Sequence, residues 1–408
     1  MTPEQALNYM HLLLRRMLEK KASDLFISAD FPPSVKIDGI MTPVTQEKEV
    51  NGKKIEVPLP KLSGEHTKEF AYSLLSPKQR TEFERDKECN LAIWPRDIGR
   101  FRVNVFVQQE YVGMVIRTIT TKIPKFEDLG LPKILKDKSV IMAKNGLIIL
   151  VGGTGSGKST TLAALIDYIN ENSYGHIITI EDPVEYVHTS KNCLITHREV
   201  GRDTLDWFPA LKNTLRQAPN VILIGEIRDR ETMEFALTFA EMGHLCMATL
   251  HANNANQAMD RVINFFPEER HNQLRTDLSL NLRAFISQRL VKKKAGGRCA
   301  AIEVLLNSPL VADNILKGET GTLKETMAKS VELGMQTFDQ ALFNLVREGR
   351  ITEEDALNNS DSRNELRLKF KLEGKQAGTK PESSLSLQAD EEEAHSEEPK
   401  TPPAPTKH

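Results

Sequence analysis

Cysteine is scarce in this 408-residue chain, and the four present (Cys89, Cys193, Cys246 and Cys299) stand far apart. No pair has the Cys-x-x-Cys spacing of a zinc or dithiol redox site, so a reducing compartment is expected. Long apolar runs are missing too. Nothing approaches the roughly 18–20 consecutive apolar residues of a membrane span, and the amino terminus lacks the charged-then-apolar profile of a signal peptide. Neither sign of charge dominates: 54 Lys and Arg against 56 Asp and Glu give −2, which excludes a polycation built to coat nucleic acid. Hydrophobic residues make up 39%, with 23 glycines besides; this is somewhat under the usual ~45–50%, yet enough for a sizeable core. At roughly 100–200 residues per domain, the length implies two or three domains of a soluble, cytoplasmic protein.

The chain divides by composition. Residues 374–408 hold five prolines, seven acidic and four basic residues, with Leu385 and Leu387 as their large apolar groups. Such a segment cannot bury enough surface to offset its ordering entropy, and is expected to be a disordered acidic tail. At the other end, Thr2, Pro3 and Gln5 fit a helix start, and Leu7, Met10, Leu14, Met17 and Leu18 follow at helical spacing. Leu25 and Ile27 alternate; Val35 and Ile37 then lead into a hairpin turn at Asp38-Gly39. Residues 46–61 suggest a polar excursion. Phe101, Val103, Val105 and Val107 alternate along a strand, with VGMVIRTI (112–119) as its partner. This grammar predicts a small α+β domain over 1–122 and a proline-bracketed linker over 123–133.

Between 134 and 373 the pattern changes. Short, wholly apolar runs (LIILV 147–151, HIITI 176–180, VILIG 221–225, CMATL 246–250) alternate with helical stretches, as strands buried on both faces of a parallel sheet do. A doubly wound α/β domain follows, with ligands at the carboxyl ends of its strands. Beyond about residue 270 the spacing in LSLNLRAFISQRLV and QTFDQALFNLV predicts helices.

Gly152-Gly153-Thr154-Gly155-Ser156-Gly157-Lys158-Ser159, followed by Thr160, satisfies G-x-x-x-x-G-K-[ST] between a strand and a helix. Backbone N–H groups there turn around phosphate oxygens, and the helix dipole adds to the attraction. Lys158 is placed to reach the β- and γ-phosphates and Ser159 to ligate Mg²⁺. Hydrolysis needs an acid as well. Glu226 ends one predicted strand, and Glu181, Asp182 and Glu185 follow another; each is also open to reading as a cap or a solvated acid. His244 and His251 flank CMATL, where a phosphate sensor competes with a packed or capping role.

Three segments carry a resemblance: LRQAPNVILIGEIRD (215–229), the acidic box IEDPVEYVH (180–188), and GHLCMATLHANNANQAMDRVINFFP (243–267). They resemble the signatures of the type II/IV secretion ATPases. SDLF, GRFRVNVF and ISQRLV, the last read as part of a helix, are similar to the twitching-motility ATPases of the PilT/PilU family. Within it, REVG, LRQAPN, GMQTFDQAL and HLCMATLHANNANQA look closest to the accessory, PilU-type branch. The resemblance covers residues 1–373.

It implies a RecA-like P-loop motor domain preceded by a smaller PAS-like domain, in a homohexamer that binds ATP between subunits. Glu226 then matches the Walker B carboxylate, which holds magnesium with Ser159, and Glu185 the glutamate that positions the attacking water. His244 and His251 match the paired histidines of the family's histidine box. Arg100, Arg102 and Arg117 fall where the family's first domain offers cations to ATP, although on an alternating strand they read equally as surface arginines. Two departures stand out. Asn220 replaces the usual Asp, and Leu310–Lys317 lacks the Ala-Ile-Arg-Asn-Leu-Ile-Arg-Glu of independent retraction motors, which fits an accessory one. Neither a tetracysteine site nor a further amino-terminal domain, both features of pilus-extension ATPases, is expected. The implied function is an ATP-driven motor at the cytoplasmic face of the inner membrane. It would retract pili with a PilT-type ATPase and a membrane platform protein, without a span of its own and without nucleic acid. A regulatory subunit with vestigial hydrolysis and a RecA-type DNA translocase are the alternatives.

Overall fold

The computed structural model describes residues 1–378, save 38, 51, 52, 120 and 121. Helix α1 (Pro3–Glu19) starts with a capping box, in which Thr2 accepts from the Gln5 N–H and Gln5 reaches back to Thr2. After α2 (Gly64–Leu74), helix α3 (Pro77–Asp86) repeats this chemistry with Ser76, Pro77 and Gln79. Proline costs nothing at the first helical position, because its missing N–H has no partner there.

The first sheet comprises β1 (Asp24–Ile27), β2 (Ser34–Ile37), β3 (Ile40–Pro43), β6 (Glu88–Ile93), β7 (Arg100–Gln108) and β8 (Tyr111–Ile119), ordered β3-β2-β1-β8-β7-β6. Every pairing in it is antiparallel. The β2–β3 turn is a two-residue hairpin, since Ile37 pairs with Ile40; Asp38 lies outside the described residues, and Gly39 takes the left-handed φ of +86° that such turns favour. β4 (Thr45–Val50) and β5 (Lys53–Pro58) pair apart from this sheet, as the polar excursion. One face of the sheet buries Phe101, Val103, Val105, Met114 and Ile116 with Met10, Leu14 and Phe70 of the helices. Period-two alternation puts Arg100, Arg102 and Arg117 on the other face.

Seven strands form the second sheet: β9 (Gly146–Val151), β10 (Gly175–Glu181), β11 (Cys193–Glu199), β12 (Val221–Ile224), β13 (Leu245–Leu250), β14 (Leu282–Lys292) and β15 (Arg298–Leu306). Their order is β11-β10-β12-β13-β9-β14-β15, parallel throughout except for the β14–β15 hairpin. β9, β12 and β13 are buried along their whole lengths, as their unbroken apolar runs require. Helix α4 (Lys158–Asn172) covers one face with Leu162, Leu165, Ile166 and Ile169, joined by Phe126, Leu131 and Leu135 from the 123–140 region. The opposite face carries α5 (Trp207–Thr214), α6 (Arg230–Glu241), α7 (Ala255–Asn264) and α8 (His271–Asn281), with Leu211, Phe239, Met259 and Leu278 pointing inward. Helices α9 (Pro309–Lys317), α10 (Leu323–Lys329), α11 (Phe338–Arg347) and α12 (Glu353–Asn359) complete this unit.

One expectation is overturned here. LRAFISQRLVK is strand β14, not helix. Its apolar run also fits helical spacing, but both of its edges are hydrogen-bonded, to β9 on one side and to β15 on the other; neighbouring strands decided what periodicity left open. QTFDQALFNLV does contain a helix, α11, capped by a Thr337–Gln340 box.

Met1–Asp361, both sheets included, forms one compact unit, and a second begins at Ser362 with helix α13 (Arg363–Gly378). The helix continues through residues 374–378, which composition assigned to the tail; residues 379–408 lie outside the described set.

Candidate active site

Strand β9 runs straight into the glycine-rich loop, and the loop into α4. Gly152, Gly155 and Gly157 have φ of +159°, +76° and +87°, the last two in the left-handed region that glycine adopts without strain. A Cβ on Gly157 would meet Gln288 Nε2 at 2.6 Å, whereas Gly153 and Gly155 face open space. No side chain caps α4, so the N–H groups of its first turn have no intrahelical carbonyl and no cap. Ser156 Oγ is buried without a hydrogen-bond partner. Open glycines, uncapped N–H groups and an orphaned hydroxyl together suit a polyphosphate anion.

Lys158 lies at the floor of this cradle, 8% exposed, and its Nζ donates to the carbonyls of Gly152 (2.6 Å) and Gly153 (3.0 Å). Burial pushes its pKa down, while Glu226 and Glu185 oppose the shift. Thr160 Oγ1 lies 2.9 Å from the Tyr186 hydroxyl, tying α4 to the acidic loop.

The carboxyl ends of β10, β12 and β13 bring the rest together. One pocket is lined by Lys158, Ser159, Glu181, Glu185, Glu226, Arg228, Thr249 and His251. Glu226 is held at both oxygens. Arg228 Nε donates to Oε2 at 2.7 Å, and His251 Nε2 lies 3.2 Å from Oε1. Burial, with the Lys158 charge behind it, pushes the His251 pKa down, so at neutral pH its ring is uncharged. Glu226 follows Gly225, whose carbonyl accepts the Thr249 hydroxyl at 2.6 Å and whose N–H donates to Ile180 O at 2.8 Å. A Cβ on Gly225 would come within 3.2 Å of Glu181 Cα, so glycine lets the two acidic strand ends approach.

Burial pushes the Glu181 carboxyl up to about 7, against the hydrogen bond from Thr179. Behind it runs a polar chain. The His188 N–H donates to His197 Nε2 at 3.0 Å, leaving the proton on Nδ1, which lies 2.9 Å from the Thr179 hydroxyl. His188 itself is held neutral by burial, its pKa pushed down to about 3.

The remaining candidates are placed elsewhere. His244 is at the amino end of β13, with Nδ1 2.8 Å from Pro219 O. About 3.3 Å per strand residue separates it from His251 by roughly 20 Å. The structure therefore does not bring the two histidines together: His251 lines the pocket, and His244 stands at the opposite end of β13. Arg100 is also committed: it is 5% exposed and ion-paired with Glu199 at the end of β11, joining the two sheets. Glu199 Oε2 accepts the Val184 N–H at 3.1 Å as well, so an arginine of the first sheet braces the loop that carries Glu185. Breaking such a pair strands a buried charge. Arg100→Ala is expected to cost about 3–5 kcal/mol, and replacing both partners by apolar residues much less; thermal unfolding of the two variants measures the difference. Arg117 Nε binds Asp24 Oδ1 at 2.8 Å, and Arg102 stands directly opposite Arg117, both exposed.

Arg228, Thr249 and Gln288 were not singled out from the sequence. The first follows Glu226 by two residues inside a quoted motif, which was a usable signal; the other two are apparent only once the strands are adjacent.

Residues 85–344 match the family described as type II/IV secretion system protein. The chain belongs to it. Within this secretion family, the chain is 56% identical over 361 residues to the type IV pilus ATPase PilU of Pseudomonas aeruginosa, covering 88% of this chain and 91% of that protein. Identity to the type IV pilus retractation ATPase PilT of the same organism is 41% over 344 residues, 84% of this chain and 96% of the relative. A solved structure of the pilus retraction motor PilT with bound ADP superposes with a TM-score of 0.78 at 38% identity, covering 88% of this chain and 98% of that one. The chain is thus an ATPase of the PilT/PilU family, with a strand-rich first sheet and a P-loop core.

Proposed function

We propose that the chain is an ATP-hydrolysing motor of type IV pilus retraction, working as an accessory to a PilT-type ATPase. The observation that carries it is the pocket joining Lys158, Glu185, Glu226 and His251 at one edge of a parallel sheet. The names of its relatives, two pilus ATPases and a retraction motor, support pilus retraction as the work that hydrolysis drives. ATP would lie with its phosphates in the 152–159 loop. Ser159 and Glu226, which line the same pocket, would hold magnesium, and the ion would supply neutralisation of charge developing on the phosphates.

Glu185 orients the attacking water and takes its proton, while Lys158 draws off negative charge. His251, neutral, fixes Glu226 from one side as Arg228 does from the other. Arg102 and Arg117 stand exposed and directly opposite each other, and Asp24 answers only one of these two like charges, at Arg117. A neighbouring subunit's ATP is the further anion in a homohexamer, and Arg100 stays in its own chain. No helix among the described residues is long and apolar enough to cross a membrane; attachment at the cytoplasmic face of the inner membrane goes through a platform protein.

Deleting the gene tests this. Pilus retraction should weaken while a PilT-type ATPase is present and change no further when that ATPase is removed first. Full retraction driven by this chain alone would show an independent motor instead.

A further inference from the structure

Strand β14 places two adjacent polar residues, Gln288 and Arg289, beside the two loops that flank the pocket. Neighbouring residues of a strand point to opposite faces, and here each face meets a different loop. Gln288, 4% exposed, donates through Nε2 to Ser156 O at 2.8 Å and accepts from Thr161 Oγ1 at 2.7 Å, so it grips the phosphate loop. Arg289 grips the other loop. Its Nη2 donates to Asn253 O at 3.0 Å, two residues past His251, and its Nη1 to Asn359 O at 2.7 Å. The same guanidinium pairs with Asp361 at 2.6 Å and lies 3.9 Å above the Phe338 ring.

The loop has a second anchor from the same hairpin. Glu303 on β15, 1% exposed, accepts the Ala255 N–H at 2.7 Å and the Ser287 hydroxyl at 3.0 Å. Residues 253–255 are thus fixed at both ends of a short span, and His251 lies two residues before it. Asn359, Asp361 and Phe338 belong to the α11–α12 region, so Arg289 connects that region to the side chain touching Glu226.

We propose that Arg289 is a positioning residue for the hydrolytic step, setting His251 against Glu226 through Asn253, while Gln288 serves nucleotide binding. This rests on the ATPase reading of the pocket.

Steady-state ATP turnover and binding of a fluorescent ATP analogue by the full-length chain test it. Arg289→Ala should lower kcat about 10-fold or more, as loss of alignment does, with analogue affinity within about two-fold. Arg289→Lys should recover only part, because an ammonium lacks the fork that bonds Asn253, Asn359 and Asp361 together. Gln288→Ala should do the reverse, weakening the analogue more than kcat. The double variant Arg289→Ala/His251→Ala should be no slower than His251→Ala alone, since the two act as one unit. If Arg289→Ala does not fold, Asp361→Asn replaces it in the same cycle. Additive losses, or equal losses of binding and turnover in the arginine variants, overturn the inference while leaving the site reading intact. Absence of turnover in the unaltered chain overturns both.

Discussion

Lys158→Ala is expected to lower ATP turnover by about 10²–10³-fold, the usual effect of removing one preorganised group that stabilises developing charge. The lysine is nearly enclosed, and burial lowers its pKa against the pull of two carboxylates. Its charge acts where water screens it least, so it counts for more than a surface cation. In the folded chain its Nζ bonds only the carbonyls of Gly152 and Gly153 among the described residues, and its loss should therefore leave the sheet standing. Phosphate release and thermal unfolding on the same preparation separate the two effects. A variant that unfolds at the wild-type temperature and turns over at the wild-type rate contradicts the assigned role.

Glu185→Gln is expected to reduce kcat by about 10²–10⁴-fold, the range for loss of a positioned general base, with KM nearly unchanged. The amide keeps the shape of the side chain and removes its basicity. Glu185 is exposed within the pocket that also holds Ser159 and Glu226, whereas Glu181 sits deeper, with its pKa near 7. The same substitution at position 181 therefore separates their duties. If Glu181→Gln removes turnover and Glu185→Gln does not, the base is Glu181. A pH profile sharpens this, because loss of a group titrating at about 7 shifts the acid limb.

Much of the pocket was legible because its signals are local. Glycine, lysine and serine at fixed spacing need only the strand before them and the helix after, and Glu226 and Glu185 follow apolar runs that end at one sheet edge. What could not be read depended on distance through space. His244 and His251 are seven positions apart in one motif, but a strand carries its two ends to opposite edges. Arg100 shares a face with Arg102, yet only the docking of β7 on β11 shows that Glu199 has claimed it. LRAFISQRLVK satisfies two periodicities, and its neighbours β9 and β15 settled which one it obeys. Gln288 and Arg289 lie inside the quoted ISQRLV, but their contacts could not be read there, since both act through loops more than thirty residues away.

The most direct measurement is phosphate release by the purified full-length chain across a range of ATP concentrations with magnesium present, beside analogue binding by the Glu185→Gln variant. A motor requires saturable release by the unaltered chain, and a variant that still binds the analogue but releases almost nothing. Binding without measurable release in the unaltered chain would instead make it a nucleotide-sensing subunit of a PilT-type machine.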